Sequence, residues 1–345
     1  MISGKAGIAL MNMGSPASPG DVQRFLRRLF EDIEMFQFPG ERVIRPLFAA
    51  LIAALRAGRV RQRYRILGGT SPLVPLTQEQ AVGLEKALLQ RGFDVPVEIC
   101  MRYSHPFAVE TVERLLARGV QGIIGLPLYP QYSASTTGSS LRALRRAVEE
   151  QCPGLPCREI ESWCDDPDFH EALARRILAC RQRLDGTEGV GLLLVAHSIP
   201  ERFVRKGDPY VEQVEVTVAG ILDALNRELE ERLPWLLAYQ SQVGPVKWVG
   251  PTVPQALEVL VSDGLRSVIV TPVSFVSDHL ETLYEIDLHY RRLALELGCE
   301  RFERIESLNA SDDFVAFLAD RVIKVFGNEL STKEPDQKPR AEGVT

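Results

Sequence analysis

The sequence predicts an α/β protein of two related domains, each a parallel sheet flanked by helices, with a cleft between them. Three observations lead there. At 345 residues the chain is longer than one hydrophobic core usually organises. Short aliphatic, β-branched runs alternate with amphipathic helical patterns, as parallel strands with helical crossovers do. The halves also echo each other: "ARGVQGIIGLPL" (117–128) matches "SDGLRSVIVTPV" (262–273), and "GIALMNMGSP" (7–16) matches "GLLLVAHSIP" (191–200). A repeat of this kind marks a duplicated supersecondary unit.

Strands are expected near 7–12, 96–103, 122–129, 191–197, 236–241 and 267–275. They are apolar along their whole length, as strands covered on both faces must be. The polar, glycine-containing "RLDGTEG" (183–189) breaks the pattern. It divides the chain into a first domain, 1–186, and a second, 187–310. A last helix, about 311–326, is expected to pack back on the first domain. The polar tail 327–345 has nothing to bury and is expected to lack structure.

Composition removes several classes. Hydrophobic residues make up 45% and charged ones 25%, the usage of an ordinary globular protein. A net charge of −6 argues against a nucleic-acid binder, which needs a cationic face. No apolar run approaches the roughly 20 residues of a membrane span. The start "MISGKAGIALMNMG" has no small-residue cleavage site, so a cytoplasmic chain is expected. The six cysteines then read as free thiols and not as a disulfide framework.

In open α/β sheets ligands sit beyond the carboxyl ends of the strands. The residues found there are "NMGSP" (12–16), Arg102 and Tyr103, "YPQYS" (129–133), His197 and Ser198, "QSQ" (240–242) and "SFVSDHLETLYEID" (274–287). His197 is one of five histidines, and a neutral imidazole in an apolar wall can take a proton or bind a metal. Beyond Leu280 a helix would bring Glu281, Glu285 and His289 to one face. Like charges at that spacing repel, which fits an acidic ladder serving cations or protons; a solvated face is the plain alternative. "STTGSS" (135–140) starts a helix that could bind an anion or simply be capped. "RILGGTSPL" has neither the spacing nor the context of a phosphate loop. The residues thus describe a cleft for a flat apolar ligand and a divalent cation.

Six motifs, in order, resemble ferrochelatase, the haem-synthesis enzyme that inserts Fe²⁺ into a porphyrin: "GGTSPL", "MRYSHP", "LYPQYSASTTGSSL", "AHSIPERFVRKGDPY", "YQSQVGPVKWVGP" and "SFVSDHLETLYEID". The resemblance spans about 7–326 and implies two Rossmann-like domains of chelatase type. It implies that His197 accepts pyrrole protons or binds the metal, with Glu281 as its partner, and that Asp278, His279 and Glu285 belong to an acidic path. Met13, Arg102, Tyr103, Gln240, Trp248 and Phe275 would line the porphyrin pocket, and Arg56 and Ser71 would hold a propionate. The chemistry suits these types, because metallation strips water from Fe²⁺, removes two N–H protons and bends a stiff ring.

Departures from the pattern carry information. Met13 in "NMGSP" stands where coproporphyrin enzymes have tyrosine, which favours protoporphyrin. Leu55 and Ile66 replace arginines of some relatives, and His289 replaces a glutamate. Ala134 and a tail without cysteine exclude the animal-type [2Fe–2S] cluster, whereas Cys152, Cys157, Cys164 and Cys180 form a compact set for which two readings stay open: free thiols, or a cluster on internal cysteines as in some bacterial relatives. The stretch 34–65 sets Phe, Leu and Ile beside arginines, the composition of an interfacial helix or of a core helix with a charged end. Peripheral membrane contact and a transient contact with the preceding haem-pathway enzyme follow from the resemblance. The rival classes are a non-catalytic porphyrin or metal carrier and a cobalt chelatase.

Overall fold

The computed structural model describes residues 4–34, 41–184, 189–244 and 246–330. Its first half runs β1 (Ala6–Asn12), α1 (Val22–Glu31), α2 (Glu41–Ile66), α3 (Leu73–Gln90), β2 (Val97–Met101), α4 (Ala108–Ala117), β3 (Gly122–Pro127), a short π-helical segment (Ala134–Gly138), α5 (Ser139–Gln151), β4 (Cys157–Glu159) and α6 (Pro167–Gln182). The second half runs β5 (Val190–His197), α7 (Glu201–Arg205), α8 (Tyr210–Glu228), β6 (Trp235–Gln240), α9 (Val253–Ser262), β7 (Ser267–Pro272), a longer π-helical segment (Glu281–Tyr290), α10 (Arg291–Glu296), β8 (Arg301–Arg304) and α11 (Asp312–Leu330).

Two four-stranded parallel sheets result, ordered β2-β1-β3-β4 and β6-β5-β7-β8. The echo read in the sequence is an echo of register. Ala6 pairs with Gly122 in one sheet, and its counterpart Val190 pairs with Ser267 in the other. Every central strand is wholly buried apart from its last residue in β5, which is why the runs read as continuously apolar. The six expected strands are present. The structure adds β4 ("CRE") and β8 ("RFER"), polar edge strands too short to show a period.

The spatial division does not follow the order of the chain. Helix α6 precedes the break near 185–190 yet packs on α8 and β7 of the second half, while α11, the last element, packs on α3 of the first. The boundary 186/187 itself lies outside the described residues. Arg176 of α6 ties the two exchanged helices together through Asp313, at 2.8 and 3.0 Å. One apolar core therefore runs from Ile8 and Leu10 in the first sheet to Leu192 and Leu194 in the second. Helix α11 continues past the expected end at 326 to Leu330, because Phe326 and Leu330 are buried in that core; of the expected tail, 331–345 lies outside the described residues. Among those described, no helix is long and apolar enough to cross a membrane.

Candidate active site

His197 is the last residue of β5, and its neighbour in register is Gln240, the last of β6. The His197 backbone N–H donates to Ser274 Oγ at 3.0 Å, which ties the end of β5 to the loop after β7. Its ring Nδ1 lies 2.6 Å from the Ser198 carbonyl. A carbonyl only accepts, so Nδ1 carries the hydrogen and Nε2 of the neutral ring keeps its lone pair. That nitrogen faces Glu281 Oε1 at 3.6 Å.

His279 repeats the arrangement from the other side. Its Nδ1 lies 3.0 Å from the Ser277 carbonyl, and its Nε2 lies 3.9 Å from Glu281 Oε2. Two imidazole Nε2 atoms thus flank one carboxylate, with the Phe275 ring 6.3 Å from His197 and 4.6 Å from His279, centroid to centroid. Gln240 is 1% exposed, and neither of its side-chain polar atoms has a hydrogen-bond partner. Buried polar groups rarely go unpaired away from functional sites. Burial opposes charge on Glu281, but an imidazolium at His197 above all, and His279 after it, hold its carboxyl well below the usual range. One winding further on, burial and the Glu281 charge push Glu285 up. Glu285 accepts from Ser241 Oγ at 2.6 Å and from Arg63 of α2 at 3.0 Å, so an ion pair joins the two halves here. Ser241 adopts φ 64°, a strained backbone for a non-glycine residue of the kind that gathers at functional sites. Arg56 lies near Arg63 and Glu285 and over the Phe30 ring. His289 is exposed at the outer end.

The acidic segment is π-helical, with i→i+5 winding, where the sequence suggested an ordinary helix. Asp278 differs from Glu281 and Glu285 in its surroundings. It stands outside the ladder and is consumed by Arg304, Thr282, Ser307 and Asn309, which together outweigh burial and lower its pKa. Ser71 is buried and accepts the Leu73 N–H at the start of α3, and Trp248 donates to the Val243 carbonyl and pairs with Pro200; both shape loops. The helix start at 135–140 is no vacant anion site either, since Asp208 already accepts from Ser133 Oγ and the Ala134 N–H at 2.9 Å.

In the first half the informative group is one the sequence did not single out. The side chain of Asp32 is 2% exposed and accepts from Arg102 at 2.7 Å, from Tyr103 at 2.8 Å and from Ser139. Met13 joins this group through its carbonyl, which accepts the Tyr103 N–H at 3.0 Å. Gly14, with φ 84°, allows the close approach, because a Cβ there would meet Ser104 Oγ at 2.2 Å. Tyr64 and Tyr210, both buried near Glu281, were missed too. Tyr210 closes the quoted "GDPY" motif, which was the one available signal.

The four cysteines are not gathered. Cys157 packs on the face of the first sheet that holds α4 and α5, and Cys180 belongs to the core on the opposite face. Among the described residues no group of three or more His, Cys, Asp or Glu side chains is placed to hold a metal ion. The expected cluster on Cys152, Cys157, Cys164 and Cys180 therefore has no ligand set.

Two solved structures share the fold. SirB from Bacillus subtilis with Fe³⁺ superposes with a TM-score of 0.53 at 14% identity, covering 94% of this chain and 98% of that one. The sirohydrochlorin chelatase SirB of B. subtilis subspecies spizizenii in complex with cobalt gives 0.51 at 12%, covering 94% and 97%. The likeness defines the class of fold, two parallel-sheet halves of chelatase type. The ferrochelatase family profile matches residues 5–325. Ferrochelatases of Synechococcus sp. (strain JA-2-3B'a(2-13)) and Gloeobacter violaceus are 43% and 40% identical, covering 91% and 94% of this chain and 91% and 98% of theirs. The chain belongs to the ferrochelatase family, and it is a metal chelatase that inserts Fe²⁺ into a porphyrin for haem synthesis.

Proposed function

We propose that the chain metallates protoporphyrin IX with His197 as the group that accepts the pyrrole protons and Glu281 as the group that receives them. One observation carries this: Nε2 of His197, whose Nδ1 is taken by the Ser198 carbonyl, faces a carboxylate at 3.6 Å, too far for a mutual hydrogen bond and open to a proton or a cation between them. Each turnover exchanges two pyrrole N–H bonds for bonds from nitrogen to iron and releases two protons. His197 takes a proton on Nε2, Glu281 stabilises the imidazolium, and Glu285, already raised toward its neutral form, is the next station outward. Glu281 and His279 also suit the transient ligation of Fe²⁺ as a substrate. Arg102 and Arg56 present guanidinium donors to the carboxylate ends of the porphyrin, Tyr103 holds the Asp32 that orients Arg102, and Met13 presents an apolar thioether to the ring.

Helix α2 gives the substrate a route. Its Ala49, Ala53 and Ala57 pack on Val22, Leu26 and Phe30 of α1, while Leu47, Leu51 and Leu55 stand 74%, 58% and 72% exposed. An outward leucine stripe followed by arginines suits peripheral contact with a membrane from its cytoplasmic side, and vesicle flotation with Leu47→Glu and Leu55→Glu tests that contact. The function is tested by anaerobic Fe²⁺ insertion with protoporphyrin IX and coproporphyrin III in parallel. Faster turnover of protoporphyrin supports the assignment from Met13. Preference for coproporphyrin reverses it, and binding without metallation of either points to a carrier.

A further inference from the structure

Chains seldom hold ten residues in π winding, and Arg304, the last residue of β8, sits behind the segment that does. Its Nε and Nη2 donate to the two oxygens of Asp287, each at 2.8 Å. Its Nη1 lies 3.0 Å from Asp278 Oδ1 and donates to Ser307 Oγ at 2.9 Å. Asp278 precedes Glu281 and Asp287 follows it, so one guanidinium grips the chain on both sides of the turn that presents Glu281. The distance between positions 278 and 287 depends on the winding, and a rigid fork that binds both ends selects one winding. Lysine, a point charge on a flexible stem, offers no such fork.

The brace continues away from Arg304. Asp278 accepts from Thr282 Oγ1 and from Asn309 Nδ2, and the Asp278 N–H donates to Asn309 Oδ1 at 2.8 Å. Asn309 and Ser241 are the two non-glycine residues with positive φ among those described, and both touch this region, Asn309 on Asp278 just before the π segment and Ser241 on Glu285 in its middle. Gln80 of α3 donates to the Asn309 carbonyl at 2.6 Å and to Ser277 Oγ at 2.9 Å, which anchors the network in the first half. The Arg304 side chain is 10% exposed, so water cannot take over its contacts.

We propose that Arg304 is a positioning residue for metal insertion: by clamping Asp278 to Asp287 it sets the π winding that aims Glu281 at His197. The proposal rests on the reading of Glu281 given above. Arg304→Lys and Asp287→Ala test it, measured with Glu281→Gln and the double variant Arg304→Lys/Glu281→Gln. In Arg304→Lys and Asp287→Ala, kcat falls about 10- to 100-fold, the Kd for protoporphyrin IX from fluorescence quenching stays within about twofold, and amides of 281–290 exchange faster. The double variant loses no more than Glu281→Gln alone, because the clamp acts through that carboxylate. Turnover within about twofold of wild type in both single clamp variants, or losses that multiply in the double variant, overturns the proposal. Wild-type turnover in Glu281→Gln instead overturns the reading of Glu281 itself, a different failure. If Arg304→Lys does not fold, Asp287→Ala and its own double variant with Glu281→Gln decide, since Asp287 is one-quarter exposed and leaves the Arg304 to Asp278 pair in place.

Discussion

Met13 and His197 hold the same place in the two sheets, each the seventh residue of a run that starts from a glycine and follows the central strand. Arg102 and Gln240 correspond in the same way: Gln240 pairs with His197 at the end of β5 and β6, and Arg102 lies one residue beyond the Asn12 and Met101 pair that ends β1 and β2. A π segment follows the third strand in both halves, but the first, Ala134–Gly138, carries hydroxyls and the second, Glu281–Tyr290, carries carboxylates. A duplicated frame thus offers a thioether, a guanidinium and hydroxyls on one side, imidazoles and acids on the other. In the function proposed above, the first half grips the ring and its anionic ends, and the second moves protons and cations. Shared architecture does not assign chemistry; the residues at the strand ends do.

The sharpest way to break this division is to make the second half resemble the first. His197→Met should lower turnover about a thousandfold, the effect of losing a well-placed general base, while porphyrin quenching and the melting temperature stay near wild type. An unchanged rate in the metallation assay would remove His197 from the chemistry. Asp32→Ala tests the gripping side. It strips Arg102, Tyr103 and Ser139 of a buried acceptor and should cost about 2–3 kcal/mol of stability, read by denaturant unfolding, with KM for porphyrin raised more than kcat is lowered.

Met13→Ala should change kcat/KM by about 1 kcal/mol or less, the scale of one apolar contact, chiefly by changing the ratio of protoporphyrin to coproporphyrin turnover. The smallest effect concerns the tie between the exchanged helices. Hydrogen bonds from Arg176 hold Asp313 below the ordinary carboxylate range, so its contribution is complete above the unfolded value of about 3.9 and fades as pH falls through the lower native value. Asp313→Asn should melt a degree or two below wild type at pH 7, and the gap should close in acid. A gap that widens in acid would contradict the assignment.

Much of this frame was legible in the chain. Strands buried on both faces leave uninterrupted apolar runs, and the repeat of glycine, strand and proline located their counterparts. His197 was legible because a core would not choose it at a strand end, and Glu281 because it repeats with Glu285 at a spacing where like charges repel. The edge strands were not, since "CRE" and "RFER" are polar and pair on one side only. The π winding escaped because, over ten residues, the same side chains fit an ordinary helix, and the clamp that decides comes from β8. Asp32 and Arg63 escaped because their partners lie 70 and 222 residues away; nothing local marks such groups.

The exchange of α6 and α11 also orders events during synthesis. Val315 of α11 closes over Gly83 of α3, with side-chain atoms 3.0 and 3.2 Å from where a Cβ would stand, and the last residues of the fold thus cover almost the first. As the chain leaves the ribosome, the first sheet is complete by residue 159, yet its α3 face stays bare until residues 312–330 emerge. The usual order, in which an amino-terminal domain finishes before the next begins, would here leave the α3 face of the first sheet uncovered, because the helix that packs on it is the last element of the fold.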